Sequence, residues 1–279
     1  MTDNRKNSFI PVEWLKNRKL ILNLAKNDFK KKFAGSYLGI IWAFVQPVIT
    51  VLMYWFVFEK GLNSKATNLR TGIEIPFVLW LMAGLVPWFY FQESVNGGTG
   101  VLVEYTYLVK KVVFKIETLP MVKVISALFV HTFFVVFMVL LFALMGFTPD
   151  WYTLQVFYYS FCMIMFVLGL VYITSSIAVF FRDMVQVVNI ALQIGVWATP
   201  IMWNIEATSG MSIPSWAIFI LKLNPMYYVV SGYRDALINK IAFWEHPGMT
   251  VYFWILTACV LLLGTSVFRR LQVHFADVL

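Results

Sequence analysis

Charge is what this sequence has least of. Only 13% of its 279 residues are Asp, Glu, Lys or Arg, whereas 60% are hydrophobic. A soluble domain carries roughly 25% charged residues, so the polar surface of a water-soluble globule is missing and lipid must cover part of the chain. Histidine is scarce as well: His131, His246 and His274 lie far apart and show no zinc-ligand spacing. No Gly-x-x-x-x-Gly-Lys-[Ser/Thr] phosphate loop occurs, so the chain shows no sign of hydrolysing ATP itself. No Gly-x-Ser-x-Gly elbow or paired acidic motif occurs either, and catalysis, a metal or a cofactor in this chain is not expected. The two cysteines, Cys162 and Cys259, both fall in apolar runs and read as buried, inert thiols rather than a disulfide. There is no internal repeat, and no basic groove or module that would bind nucleic acid.

Long apolar runs are what the sequence does have. A spanning helix needs about 20 mostly apolar residues, and six segments meet that test: 37–59, 76–95, 122–146, 154–181, 185–203 and 250–268. The expected fold is therefore an all-α integral membrane protein with six transmembrane helices. Trp55, Trp80, Trp88, Trp151, Trp203 and Trp254 cluster at the ends of these runs, as in interfacial aromatic belts. Residues 1–36 are polar and lack a small-residue cleavage site, which argues against a removable signal peptide.

Basic residues set the orientation. Nine Lys and Arg precede the first span, and Lys110, Lys111, Lys115, Lys123, Arg182, Arg269 and Arg270 join them on the same side. Only Lys60, Lys65, Arg70, Lys222, Arg234 and Lys240 fall on the other. That asymmetry predicts both termini in the cytoplasm and accounts for the basic balance without nucleic acid.

Residues 9–33 interleave apolar anchors with Lys and Arg and read as an amphipathic helix in the membrane interface, or else as a solvated linker helix. Residues 105–120 alternate apolar groups with lysines, are too charged to span, and end at Pro120. They read as a short helix lying along the membrane, either a docking surface or a plain connector. Residues 204–249 form the longest segment on the other side, with a short apolar run, Asn224-Pro225 and a second helical stretch to Leu237. Runs of that length are re-entrant or interfacial.

The fifth apolar run carries a stripe. Gln186, Asn189, Gln193, Trp197, Pro200 and Asn204 recur at spacings of three or four, which places them on one helix face. Amides are costly against lipid, so this face belongs in a wet path or against another helix as hydrogen-bonding glue. In the first run Gly39, Trp42, Gln46, Thr50 and Met53 share a face, and Tyr37, Phe44, Trp55 and Phe58 share another. The aromatic face reads as lipid-exposed packing, with sugar-stacking as the other option. His131, in the third run without an acidic partner nearby, reads as a hydrogen-bonded packing residue rather than a proton relay. Glu93 should reach the interface at the inner end of the second run.

These residues carry a resemblance. Tyr37-Leu-Gly-Ile-Ile-Trp42, Gln46-Pro47 and Tyr54-Trp-Phe-Val-Phe58 resemble the first span of type-2 ABC export permeases of the teichoic acid and O-antigen polysaccharide branch. Ile75-Pro-Phe, Arg182-Asp183, Pro200-Ile201, Asn224-Pro225, Tyr233-Arg234 and the terminal Phe275-Ala-Asp-Val-Leu279 follow in the same order, from about residue 35 to the end. Phe114-Lys115 departs from the Phe-Pro of many members. The resemblance implies a multi-pass protein of the bacterial cytoplasmic membrane, working as a homodimer with two copies of a cytosolic ABC ATPase that binds ATP and Mg. Its cargo would be a lipid-linked glycopolymer, nearest in likeness to wall teichoic acid, with O-antigen as the alternative. Three domains follow: a tail with the interface helix (1–36), the six-span unit (37–268) and a second cytoplasmic tail (269–279). By the same resemblance Trp42, Gln46, Thr50, Asn189, Gln193 and Trp197 line the translocation path. Lys110, Lys111, Phe114 and Glu117 in the 105–120 coupling helix meet the ATPase, and Asn224, Tyr227, Tyr233 and Arg234 belong to external gate helices at 213–237. An ion-coupled carrier lacks the paired intramembrane acids it would need, and a glycan-modifying enzyme would need a polar cluster at one leaflet.

Overall fold

The computed structural model describes residues 17–110, 115–203 and 214–279, and in them the chain is almost entirely helical. Helix α1 (Arg18–Lys32) ends on Lys30, Lys31 and Lys32, cations well placed against the negative end of the helix dipole. It buries Ile21, Ala25 and Asp28, one face at helical spacing, against the helix at Leu119–Leu144. Its predicted start at residue 9 lies outside the described residues.

Helix α2 (Trp42–Trp55) is extended by a tight turn before it and a wide turn after it into one apolar run, Gly39–Gly61. A two-stranded hairpin, β1 (Ala66–Thr67) and β2 (Glu74–Ile75), leads into α3 (Phe77–Thr99). Two single-turn helices follow: α4 (Val101–Glu104) precedes the 105–120 segment expected to be one coupling helix, and α5 (Thr106–Val109) occupies its start. Pro120 does not end that segment: it sits in the first turn of α6 (Leu119–Leu144), where its missing N–H costs nothing. Helix α7 (Gln155–Phe180) follows, then α8 (Met184–Ala198), α9 (Ser215–Lys222), α10 (Pro225–Arg234), α11 (Pro247–Leu271) and α12 (Phe275–Val278).

Four of these units are long and apolar enough to cross a membrane: Gly39–Gly61, Ile116–Leu144, Trp151–Phe180 and Pro247–Val278. Helix α3 has the length, but Gln92, Glu93, Ser94 and Asn96 make its last turns polar. Helix α8 is shorter than the expected 185–203 run. At about 1.5 Å per residue its 15 residues reach roughly 22 Å, less than the hydrocarbon thickness of roughly 30 Å. It stops at Thr199 because Pro200 disfavours helical backbone in the residue before it.

Helices α3 and α7 form the centre, and two contacts show how closely the bundle is drawn together. A methyl group on Gly264 of α11 would lie 2.4 Å from the carbonyl oxygen of Gly169 on α7, so these backbones touch. One on Gly98 of α3 would lie 2.5 Å from the side chain of Val171. Small residues of this kind let membrane helices approach. Helix α10 is not peripheral either. Met226, Tyr228, Val229, Val230, Tyr233 and Arg234 are all buried, against α3 and α7. Cys162 is buried as expected, but Cys259 is exposed, because its face of α11 looks outward.

Candidate functional site

Helices α2, α3, α6 and α8, with the end of α1, line an open-sided cavity of about 550 Å³. Trp42, Gln46 and Thr50, spaced four apart on α2, reach its wall from one side, and Gln193 of α8 from another. Of the remaining path residues, Asn189 is half-buried and Trp197 exposed on the same side of α8, and neither lines the cavity. The aromatic face of the first run turns inward rather than to lipid: the Phe44 ring lies 4.3 Å from that of Phe133, and Phe58 stacks on Phe77 at 6.1 Å. Tyr37 alone of that set is fully exposed.

Sequence reading missed the α3 side of the wall. Trp88, Gln92 and Asn96 of α3 face the cavity at a spacing of four, the same signal that identified α8. Tyr54 and Tyr90 line it too, as does His131. Glu93 stands at one end, paired with Lys32 of α1.

That end continues into a second cavity of about 320 Å³ and a knot of charge. Lys123 of α6 meets Asp28 of α1 at 2.7 Å and Glu104 of α4 at 2.8 Å. The Tyr105 hydroxyl donates to Asp28 at 2.7 Å. Burial alone would raise the Asp28 carboxyl, but the Lys123 ammonium and the Tyr105 hydroxyl hold it net below the usual carboxylate range. Of the residues expected to couple, Lys110 is exposed at the end of α5, and Glu117 is half-buried, its backbone carbonyl accepting from Tyr172 at 2.7 Å. Lys111 and Phe114 lie outside the described residues.

The broken end of α8 is held by α10. Asn224 caps α10 by accepting from the Met226 N–H at 3.0 Å, and its amide donates to the Thr199 hydroxyl at 2.8 Å. Arg234 donates to the carbonyls of Pro200 at 2.7 Å and Ile201 at 2.8 Å. Tyr227 is half-buried beside them, and Tyr233 is wholly buried. Asn224 and Arg234 thus tie α10 to the chain at the end of α8. At the far end of α10 the hairpin clamps the chain: the Asn68 amide donates to the Ile238 carbonyl at 2.5 Å, and Arg70 to that of Lys240 at 2.6 Å.

A bundle in which α8 stops at Thr199, a buried α10 ties to its end and polar side chains line an internal wall is transporter-like in form. The sequence profile of the ABC-2 type transporter family matches residues 19–238. The chain belongs to that family. It is the membrane permease of an ABC-2 system, not its ATPase, and an ABC permease works with a partner ATPase. The O-antigen export system permease protein RfbA of Myxococcus xanthus is 27% identical over 264 residues, 93% of this chain and 95% of that protein. A namesake from Klebsiella pneumoniae is 26% identical over 262 residues, again 93% and 95% of the two chains. A second from the same organism is 23% identical over the same span. These relatives favour polysaccharide export of the O-antigen kind over the teichoic acid reading. Among the described residues no group of three His, Cys, Asp or Glu converges as metal ligands would.

Proposed function

We propose that this ABC-2 permease exports an O-antigen-type polysaccharide, carried on a lipid, across the cytoplasmic membrane as a homodimer with two ATPase subunits. The observation that carries this reading is the cavity itself. Carboxamides of α2, α3 and α8 meet indole and phenol rings there, in a bundle whose core is mostly hydrocarbon side chains. The O-antigen export named for the relatives supports the cargo.

In this reading the chain crosses six times, with α3 and α8 adding to the four long apolar helices, and the Asp28–Lys123 end faces the cytoplasm. The outward faces of α2 and α8 meet their copies in the second protomer. Leu52, Met53 and Ile194 are more than half exposed there, and so is Trp197. Trp42, Gln46, Thr50, Asn189, Gln193 and Trp197 line the path between protomers. The 105–120 segment, with Lys110, Lys111, Phe114 and Glu117, receives the push of the ATPase. The α9–α10 pair closes the outer end, with Asn224 and Arg234 linking its movement to α8.

Deleting the chain from its native cells and tagging it for purification tests the proposal. Surface polysaccharide should disappear while lipid-linked polymer accumulates inside, and the tagged chain should bring an ATPase with it. Unchanged surface polymer, or a tagged chain purified without an ATPase, overturns the reading.

A further inference from the structure

His131 is buried and hydrogen-bonded, as the sequence suggested, and it also lines the cavity. Its Nε2 lies 3.1 Å from the Tyr233 hydroxyl and 3.4 Å from Ser160 Oγ, and those two oxygens are 2.6 Å apart. Its ring packs on Tyr90 at 4.7 Å. The imidazole also has a hydrogen bond to the Val86 backbone, which with the Nε2 contacts fixes its orientation at the cavity wall.

We propose that the cavity is a subsite holding one sugar unit of the exported chain in each protomer, and that His131 is a specificity-determining contact of it. This rests on the polysaccharide reading above. The wall chemistry selects the occupant. A lipid tail would leave the amides of Gln46, Gln92, Asn96 and Gln193 unpaired, which is costly away from water. A bare ion would need free charges, and the two charged side chains of the wall, Lys32 and Glu93, are paired with each other. A sugar offers hydroxyls to the amides and C–H faces to the rings of Trp42 and Trp88. The volume lies within the range of about 300–1,000 Å³ usual for small-ligand sites. A site built to hydrogen-bond a hydroxyl rejects an analogue lacking it far more strongly than an apolar pocket rejects a missing methylene. Tyr233 belongs to α10, so the imidazole that would touch the sugar also touches the re-entrant helix.

The test uses the complex with its ATPase in lipid nanodiscs, carrying Val130→Cys at the cavity wall and Cys259→Ser to remove the exposed native thiol. The rate of maleimide labelling at position 130 is measured with trisaccharides of mannose, rhamnose or galactose, and with sugar-free polyprenyl diphosphate. At least one trisaccharide should protect the thiol and the diphosphate should not. His131→Phe keeps the ring but loses both nitrogens, and should weaken protection about tenfold, one hydrogen bond's worth. Should that variant not assemble, His131→Gln, which keeps a polar group for Tyr233, should change the order of preference among the sugars. Protection by the diphosphate alone, or protection and preference unchanged at position 131, overturns the proposal. So does the absence of protection by any trisaccharide in a complex that still exports polymer, and that result leaves the exporter reading standing.

Discussion

The guanidinium carbon of Arg234 lies 3.4 Å from the ring centroid of Trp80. The same guanidinium donates to two carbonyls beyond the end of α8, so one cation on α10 joins α3, α8 and its own helix. Room for it comes from Gly84, where a methyl group would stand 3.0 Å from the nearest guanidinium nitrogen. A positive group at the negative end of a helix that stops inside a bundle satisfies carbonyls that lipid could not.

Arg234→Lys should therefore not be conservative. Lysine loses the two-pronged donation and the flat cation over the indole. A desolvated cation–π contact is worth about 2 kcal/mol, and a hydrogen bond from a charged donor about 1.5–3. The variant complex should melt several degrees lower and export less polymer. Native melting and native export in Arg234→Lys would show that the tie between α8 and α10 carries no weight.

The crossing of α7 and α11 gives a second prediction. Gly264→Leu forces a side chain against the Gly169 carbonyl, backbone that cannot swing aside. Overpacking costs about 1–3 kcal/mol or more, so little folded protein should reach the membrane. Gly248→Leu, on the same helix with open space around it, is the control and should accumulate normally. Size-exclusion profiles of the two variants in mild detergent decide the matter.

The Asp28–Lys123 pair predicts a pH effect. The native Asp28 carboxyl titrates below its ordinary value of 3.8, so the stabilisation it provides is present above that value. It is lost as the pH falls through the lowered native one. Asp28→Asn should abolish that part of the acid sensitivity. At neutral pH it should also destabilise by about 3 kcal/mol, the low end for breaking a buried pair, since Lys123 retains Glu104. Unfolding curves of the two proteins between pH 3 and 6 should converge at the acid end. Parallel curves would remove Asp28 from the account.

Much of the bundle is legible from apolar runs alone, because a helix in lipid must be long and apolar and little else satisfies its backbone. The end of α8 is not. Ile201, Met202 and Trp203 prolong the apolar run past Pro200, so hydropathy continues where the helix stops. The amides of α8 are visible because nothing charged interrupts them. Those of α3, Gln92 and Asn96, hide behind Glu93, which looks like a helix end until Lys32 is found beside it. Tyr233 and Arg234 fall in a segment that composition places at the surface, and burial takes them inside. The partner of His131 lies 102 residues away, beyond the reach of any local pattern. The exposure of Cys259 depends on which face of α11 looks outward, which periodicity leaves open when all faces are apolar.

Water access along α8 tests the central claim most directly. Single cysteines at Gln193 and Gln46, and at Ile194 on the neighbouring face, are introduced without the native Cys259, and their reaction with a charged maleimide is followed in assembled membranes. The cysteines at 193 and 46 should react readily and the one at 194 hardly at all, because amides line a wet path and isoleucine meets lipid or a packed helix. A reactive Ile194→Cys beside inert cysteines at 193 and 46 would contradict the account.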